Sequence, residues 1–86
     1  RDYLIPIRDQ TLIGRDNPKC TVLLADPSVS GEHASVEFVD GRFMLHALKD
    51  TNGTYVNDVK VRDMQIESND QIAFGNARFR FEVEKA

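Results

Sequence analysis

Hydrophobic and polar residues alternate along this chain in short segments, and most segments end at residues typical of tight turns. The segments are rich in Val, Ile, Phe, Tyr and Thr, whereas Gly, Asn and Asp, which tolerate positive φ angles, fall between them. These turn signals recur too often to leave room for helices of useful length. The pattern predicts about ten short strands, at residues 3–7, 11–14, 21–24, 34–39, 42–48, 54–57, 59–61, 64–67, 71–74 and 78–84.

The clearest predicted hairpin joins residues 34–39 to residues 42–48 through the turn Asp40-Gly41. Its apolar positions fall opposite one another: Ala34, Val36 and Phe38 against Phe43, Leu45 and Ala47. The last segment alternates as well, with Phe79, Phe81 and Val83 on the face predicted to be buried. Many short strands with frequent turns indicate an all-β antiparallel β-sandwich or closed barrel.

Length and charge limit the organisation and the classes of partner. The 86 residues suffice for one domain, residues 1–86, and both ends lie close to predicted strands, which suggests a module excised from a larger protein. The net charge of −3 argues against nucleic acid as a partner, because a polyanion requires clustered Lys and Arg. No apolar run is long enough to span a membrane, and the single cysteine, Cys20, fits an intracellular location, nuclear or cytoplasmic.

Several candidate ligand-binding residues lie in predicted loops. In a sandwich, loops at the same end converge, so Arg15, Ser30, Thr51 and Asn52 are able to meet at one ligand. Arginine offers paired donors that match two phosphate oxygens, the hydroxyls add further donors, and Gly31 allows close approach of a backbone N–H. This set of residues suits the binding of a phosphate group rather than its cleavage.

The same residues resemble the motifs of the forkhead-associated (FHA) family of phosphothreonine-binding domains. Gly14-Arg15 looks like the family's Gly-Arg, Ser30-Gly31-Glu32-His33 like its Ser-X-X-His, and residues 51–57 like its Asn-Gly-Thr-X-Val-Asn run. Residues 70–75 resemble its Asp-X-Ile-X-Phe-Gly ending. The resemblance covers nearly the whole chain. It implies an antiparallel β-sandwich of about eleven short strands, with the ligand loops at one end.

The resemblance also implies a role for each residue. Arg15 and Ser30 would hold the phosphate, with a hydroxyl bond from Thr51 and a backbone N–H from Gly31. Asn52 would bond the main chain of the peptide, and a small pocket beside these groups would accept the threonine methyl group. Three residues would be structural: Gly14, His33 and Gly53. The implied function is phosphothreonine-dependent protein–protein interaction in signalling or assembly, without a cofactor or metal.

Two features depart from the family pattern. Many members carry a basic or amide side chain where this chain has Gly31, and Ser28 stands where some carry an arginine that reads an acidic residue of the peptide. Three acidic residues also fall near the proposed site: Asp16, Glu32 and Asp50. We therefore expect micromolar affinity at best, on the order of −7 to −8 kcal/mol, because nearby carboxylates repel a dianion.

Each candidate also has a purely structural interpretation. Arg15 is able to pair with Asp16 or Glu32 on the surface, and loop Ser, Thr and Asn residues commonly bond their own backbone. His46 has no partner identifiable from the sequence.

The same residues also allow three alternatives to phosphopeptide binding. The main alternative is a phosphate-independent packing or dimerisation domain of the same fold, with weak self-association. A small hydrolase based on Ser30 and His33 is less favoured, since no third residue is placed to orient the histidine. A metal site from His33, His46 and Cys20 is disfavoured because their spacing matches no ligand motif.

Overall fold

The computed structural model describes residues 10–15, 18–49 and 52–83 of the chain. These residues form no helix, and none of them therefore belongs to a helix that could cross a membrane. The predicted strand at residues 3–7 lies outside the described residues. The described strands are β1 (Gln10–Gly14), β2 (Val22–Leu23), β3 (Ala34–Val39), β4 (Arg42–Ala47), β5 (Thr54–Val56), β6 (Val59–Lys60), β7 (Asp63–Ile66), β8 (Gln71–Phe74) and β9 (Ala77–Arg80).

The strands form two sheets whose inner faces make a common core. One sheet has five strands in the order β2-β1-β3-β4-β7, and the other has four in the order β6-β5-β8-β9. Buried side chains of both sheets pack in one cluster that includes Ile13, Leu45, Val56 and Phe74. The molecule is thus the predicted all-β sandwich.

The strand β2 departs from the predicted antiparallel arrangement, since it pairs with β1 in parallel. Thr21, just before β2, lies beside Leu12 of β1. The Thr21 N–H donates to the Leu12 carbonyl at 2.9 Å, and the Thr21 hydroxyl accepts the Leu12 N–H at 2.9 Å. This local anchor allows a parallel pair of two residues without the long crossover that parallel strands usually require.

The predicted hairpin of β3 and β4 is confirmed: β3 has the predicted bounds, and the two strands pair in the predicted register. Ala34 lies opposite Ala47, Val36 opposite Leu45 and Phe38 opposite Phe43. The turn residues Asp40 and Gly41 have φ angles of 53° and 76°, the positive values that a tight hairpin of this hand requires.

In the last described segment, residues 77–83, the alternation of buried and exposed side chains ends earlier than the sequence predicts. Strand β9 stops at Arg80, after which the Phe81 N–H bonds to the Asp70 carbonyl at 2.8 Å. Phe81 is buried, but Val83 is 40% exposed, so the predicted burial of Val83 is wrong. The Phe81 carbonyl also accepts the Asn69 N–H at 2.7 Å, so Asn69 and Asp70 both pair with Phe81. Regular pairing ends at this irregularity, and the two-residue period of side-chain direction holds only within a regular strand.

A three-residue ionic bridge lies on the outer face of the five-stranded sheet. The His46 Nδ1 lies 2.7 Å from an Asp63 carboxylate oxygen, and Nε2 lies 2.9 Å from a Glu37 oxygen. Carboxylates only accept, so both ring nitrogens must carry a proton for both hydrogen bonds to form. The bond to Asp63 raises the pKa of His46 above its ordinary 6.5; partial burial opposes this shift, and Glu37 adds to it. Protonated His46 therefore ties β4 to both neighbouring strands.

Thr54 supplies a first test of the core. Its side chain is 0% exposed, and its hydroxyl lacks a hydrogen-bond partner within the described part of the chain. We expect Thr54→Val to raise the free energy of unfolding by about 1 kcal/mol, because it removes an unsatisfied polar group at constant shape. Thr21→Val is the control: its hydroxyl bonds Leu12, so this change should destabilise. Urea unfolding of both variants checks the contrast, and a less stable Thr54→Val would contradict it.

The His46 bridge supplies a second test, with a defined pH dependence. A raised pKa in the folded state means that the stabilisation is complete below pH 6.5 and is lost as the pH rises through the raised value. At pH 5.5 to 6, the free energy of unfolding of the wild type should exceed that of His46→Gln by about 0.2 to 1 kcal/mol. The difference should shrink progressively toward pH 8.5. Urea unfolding across this range measures the difference, and a pH-independent difference would refute the bridge.

Candidate functional site

The loops that carry the predicted ligand residues meet at one end of the sandwich. The Arg15 N–H donates to the Ser30 carbonyl at 3.0 Å, which joins the end of β1 directly to the loop before β3. On the neighbouring sheet, the Gly75 N–H donates to the Gly53 carbonyl at 3.0 Å. The structure thus places Arg15 and Ser30 side by side, and Asn52 is brought to the same end through Gly53.

His33 joins these loops from inside the protein, where it is 0% exposed. Its Nδ1 accepts the Ser30 N–H at 3.0 Å, and since Nδ1 must be the acceptor, Nε2 carries the proton and donates to the Gly53 carbonyl at 2.8 Å. The ring also packs edge-on against Phe74, with centroids 5.8 Å apart. His33 is therefore positioned to hold the Ser30 and Asn52 loops at a fixed separation.

Gly14 allows the first loop to approach the second. A Cβ atom at this position would overlap the Gly31 carbonyl and lie 2.7 Å from the Cys20 sulfur. The Cys20 thiol itself donates to the same Gly31 carbonyl at 3.2 Å. At Gly14 the constraint is close backbone approach, whereas at Gly53 it is a φ of 81°, which residues with a side chain rarely adopt.

The candidate ligand groups differ in how far the structure describes them. Arg15 is exposed, and Ser30 and Gly31 are half-buried. The contacts of Ser30 to Arg15 and His33 use its backbone atoms and not its hydroxyl. Thr51 lies outside the described residues. The geometry gathers Arg15, Ser30 and Gly31 at one place, and their roles in binding stay predictions.

Ser28 is a contact residue that the sequence did not single out for binding or structure. Its carbonyl accepts the Asn52 side-chain N–H at 2.9 Å, and its hydroxyl donates to an Asp26 carboxylate oxygen at 2.6 Å. The hydroxyl and backbone N–H of Ser28 both bond this carboxylate, and they lower the pKa of Asp26 below 3.8. Asp26 is consequently ionised at neutral pH, on the same loop as Ser30. The spacing Asp-X-Ser after Leu24 is the only sequence signal for this pair, and it is common in turns.

A separate cleft lies on the outer face of the five-stranded sheet. It has a volume of about 450 Å³, with Leu12, Ser35 and His46 among its lining residues and Lys19 and Thr21 also along it. None of the predicted ligand residues lines this cleft. Among the described residues, no group of three or more His, Cys, Asp or Glu side chains is placed to hold a metal ion.

His33→Ala tests the internal link between the loops. We expect a loss of about 3 kcal/mol in the free energy of unfolding, because two backbone groups lose their partners and a cavity opens beside Phe74. The matched control is His46→Ala, whose surface pairs should contribute less than about 1 kcal/mol. Chemical denaturation at pH 7.5 compares the two. Equal free energies of unfolding for His33→Ala and wild type would show that the hydrogen bonds of His33 do not stabilise the fold.

Comparison with known proteins gives consistent matches. A family model described as the FHA domain matches residues 11–75. Oxoglutarate dehydrogenase inhibitors of Corynebacterium diphtheriae and Corynebacterium efficiens are 34% and 32% identical to the chain, over 74 and 71 residues. These matches cover 86% and 83% of this chain but 51% and 49% of the relatives, so the chain spans about half the length of the curated relatives it matches.

Solved structures agree in fold. A structure from an analysis of phosphothreonine-dependent FHA domain interactions matches with a TM-score of 0.85 and 27% identity, covering 100% of this chain and 88% of that one. The FhaA FHA domain, solved in complex with the intracellular domain of Rv3910, matches with a TM-score of 0.76 and 29% identity, over 91% of this chain and 84% of that one. With the family model matching most of its length, the chain belongs to the FHA domain family.

Proposed function

We propose that this FHA domain is a phosphothreonine-dependent interaction module that binds its partner through Arg15 and Ser30. The observation that carries the proposal is the direct hydrogen bond between the Arg15 backbone and the Ser30 carbonyl, on loops that His33 supports from the interior. A guanidinium and a hydroxyl on joined, supported loops suit one tetrahedral anion. FHA domains are protein-binding modules, and one similar structure comes from work on phosphothreonine-dependent interactions.

In the proposed mechanism, one set of residues binds the phosphate group and Asn52 binds the main chain of the peptide. Arg15 pairs with two phosphate oxygens, the Ser30 hydroxyl and the Gly31 N–H donate to the remaining acceptors, and Thr51 adds a second hydroxyl. Asn52 bonds the peptide backbone. Unphosphorylated threonine offers Arg15 no anion, whereas phosphorylation adds about −1.5 to −2 charges and three acceptor oxygens. The kinase thus supplies the signal, and the domain reads it.

The charges around the loops support moderate affinity. Asp26 is ionised and lies on the loop that carries Ser30, and Glu32 follows Gly31 directly. Both carboxylates repel a phosphate dianion, so part of the attraction of Arg15 is offset. We expect dissociation constants in the micromolar range, on the order of −7 to −8 kcal/mol.

The proposed role in the cell is regulation by contact. The curated relatives are inhibitors of oxoglutarate dehydrogenase, which act on another protein, and FHA domains are regulatory modules. We propose that this domain likewise has no catalytic activity and works inside the cell as part of a longer protein. Its partner is a phosphothreonine-containing protein; nucleic acid and membranes are not proposed as ligands.

A phosphate-independent packing function has one observation in its favour. Leu23 and Val59 are exposed apolar residues on the edge strands β2 and β6 of the described sheets. Exposed edge strands pair with other chains when they are not protected. This alternative predicts self-association that does not depend on Arg15.

Calorimetric titration of three matched peptides tests the proposal. The phosphothreonine peptide should bind, the unphosphorylated peptide should not, and the phosphoserine peptide should bind more weakly, because it lacks the methyl group for the expected pocket. Arg15→Ala should weaken binding by about 10- to 100-fold, the equivalent of a lost charged hydrogen bond.

The matched control is Arg42→Ala, which removes the same charge at the opposite end of β3 and β4. It should bind the phosphothreonine peptide like wild type, and both variants should unfold like wild type, since exposed ion pairs contribute about 0 to 1 kcal/mol. Undiminished binding of the phosphothreonine peptide by Arg15→Ala would contradict the proposed role of Arg15 as the main phosphate-binding residue. A dimer that persists in that variant, together with no phosphopeptide binding by wild type, would favour the packing function.

A further inference from the structure

Ser28 links three segments at the ligand end of the sandwich. Its hydroxyl donates to the Asp26 carboxylate at 2.6 Å and accepts the Asn76 N–H at 2.8 Å, so both of its hydrogen-bonding directions are used. Asp26 accepts a second bond, from the Ser28 backbone N–H, at 2.9 Å. One small side chain therefore connects the loop before Ser30 to the β8–β9 turn.

The same residue holds the side chain of Asn52. The Ser28 carbonyl accepts the Asn52 Nδ2–H at 2.9 Å, across 24 positions of sequence. Gly75 closes over Ser28 from the other side, where a Cβ atom would lie 2.7 Å from the Ser28 hydroxyl. Ser28 is thus packed and bonded on several sides, and the Asn52 side chain is bonded to its carbonyl oxygen.

We propose that Ser28 and Asp26 are positioning residues that orient the Asn52 amide toward the peptide main chain, and that they set the affinity for the peptide separately from the affinity for phosphate. This inference rests on the proposed function. An amide has two N–H donors and one acceptor oxygen. One N–H of Asn52 is bonded to Ser28, and within the described part of the chain the second N–H and Oδ1 have no bonded partner, so both can serve a ligand. An extended peptide offers a carbonyl and an N–H, which match those two groups.

The advantage of this arrangement is preorganisation. Asn52 is exposed, and an exposed amide that is not held must be ordered when the peptide binds. The bond to Ser28 orders it beforehand, and the ionised Asp26 directs the Ser28 hydroxyl so that its oxygen faces the Asn76 N–H. Loss of this support should therefore reduce the affinity for a peptide without altering the phosphate contacts.

The phosphate-binding groups have their own supports. Ser30 is bonded through its backbone to Arg15 and to His33, and the described hydrogen bonds of Ser28 go to Asp26, Asn52 and Asn76 instead. The two sets of contacts are separate, although they lie two residues apart. This separation is what makes the inference testable.

The experiment compares two probes by NMR titration of the uniformly labelled domain. Free O-phosphothreonine reports the phosphate contacts, and a peptide with one phosphothreonine flanked by four alanines on each side adds only main chain. Wild type should bind the peptide more tightly than the free amino acid. Ser28→Ala and Asp26→Ala should each lose about 3- to 10-fold in peptide affinity, as for one disordered polar side chain, with unchanged binding of O-phosphothreonine.

Two further variants separate positioning from general damage. Asp26→Asn keeps an acceptor oxygen for both Ser28 bonds, so it should restore most of the peptide affinity that Asp26→Ala loses. In an Asn52→Ala background, Ser28→Ala should cause no further loss, because the two residues act through one amide. The contrast between Asp26→Ala and Asp26→Asn keeps the proposal testable if Ser28→Ala does not fold.

The outcomes distinguish the inference from the proposed function. Equal weakening of both probes in Ser28→Ala, or additive losses with Asn52→Ala, would overturn the positioning role while phosphothreonine binding stands. Unchanged peptide affinity in Ser28→Ala and Asp26→Ala would overturn it as well. Binding of neither probe by wild type would refute the proposed function, and the inference with it.

Discussion

The ligand end of this domain depends on one buried imidazole. The ring of His33 accepts the Ser30 N–H and donates to the Gly53 carbonyl, while its backbone bonds to Ile13 and Leu48. Four separate segments therefore converge on a residue that is itself inaccessible to ligand. Each bond satisfies a backbone group that the turns would otherwise leave without a partner, which is why a loop region with so little regular structure holds a defined shape.

The elements that follow from local rules were predictable. Alternation of apolar and polar residues sets which face of a strand is buried, and turn residues with positive φ set where strands end, so β3 and β8 were predicted with their observed bounds. The register of β3 with β4 follows from the same rules, since a slip of one residue would expose Val36 and Leu45. The predicted burial of Val83 is wrong because regular pairing ends at Phe81, where Asn69 and Asp70 both bond to one residue, and the local sequence pattern does not indicate such an irregularity.

The remaining features depend on partners far apart in sequence. Ser28 meets Asn52 and Asn76, and His46 meets Asp63, only after the sheets have formed. Hydrophobic periodicity carries no information on such pairs, because it specifies a face and not a neighbour. The parallel pairing of β2 was missed for a related reason, since it depends on a hydroxyl contact between Thr21 and Leu12. Motif resemblance could place Arg15 and Ser30 near each other, but the structure supplies the backbone bond that joins them.

The negative charge of the chain bears on how selective such a site is. With a net charge of −3 and carboxylates at Asp26 and Glu32, the long-range field does not attract anions, so in the proposed site Arg15 acts only at contact distance. A glutamate of a partner protein brings one charge and two acceptor oxygens, whereas phosphothreonine brings nearly twice the charge and a third oxygen, and so gains more from a guanidinium at contact distance. Repulsion by the carboxylates grows with the charge of the ligand, so the acidic surroundings lower the affinity for phosphothreonine more than that for a glutamate. Discrimination in the proposed site therefore comes from the number of contacts that the phosphate accepts, and the proposed main-chain contacts of Asn52 would supply affinity that does not depend on charge.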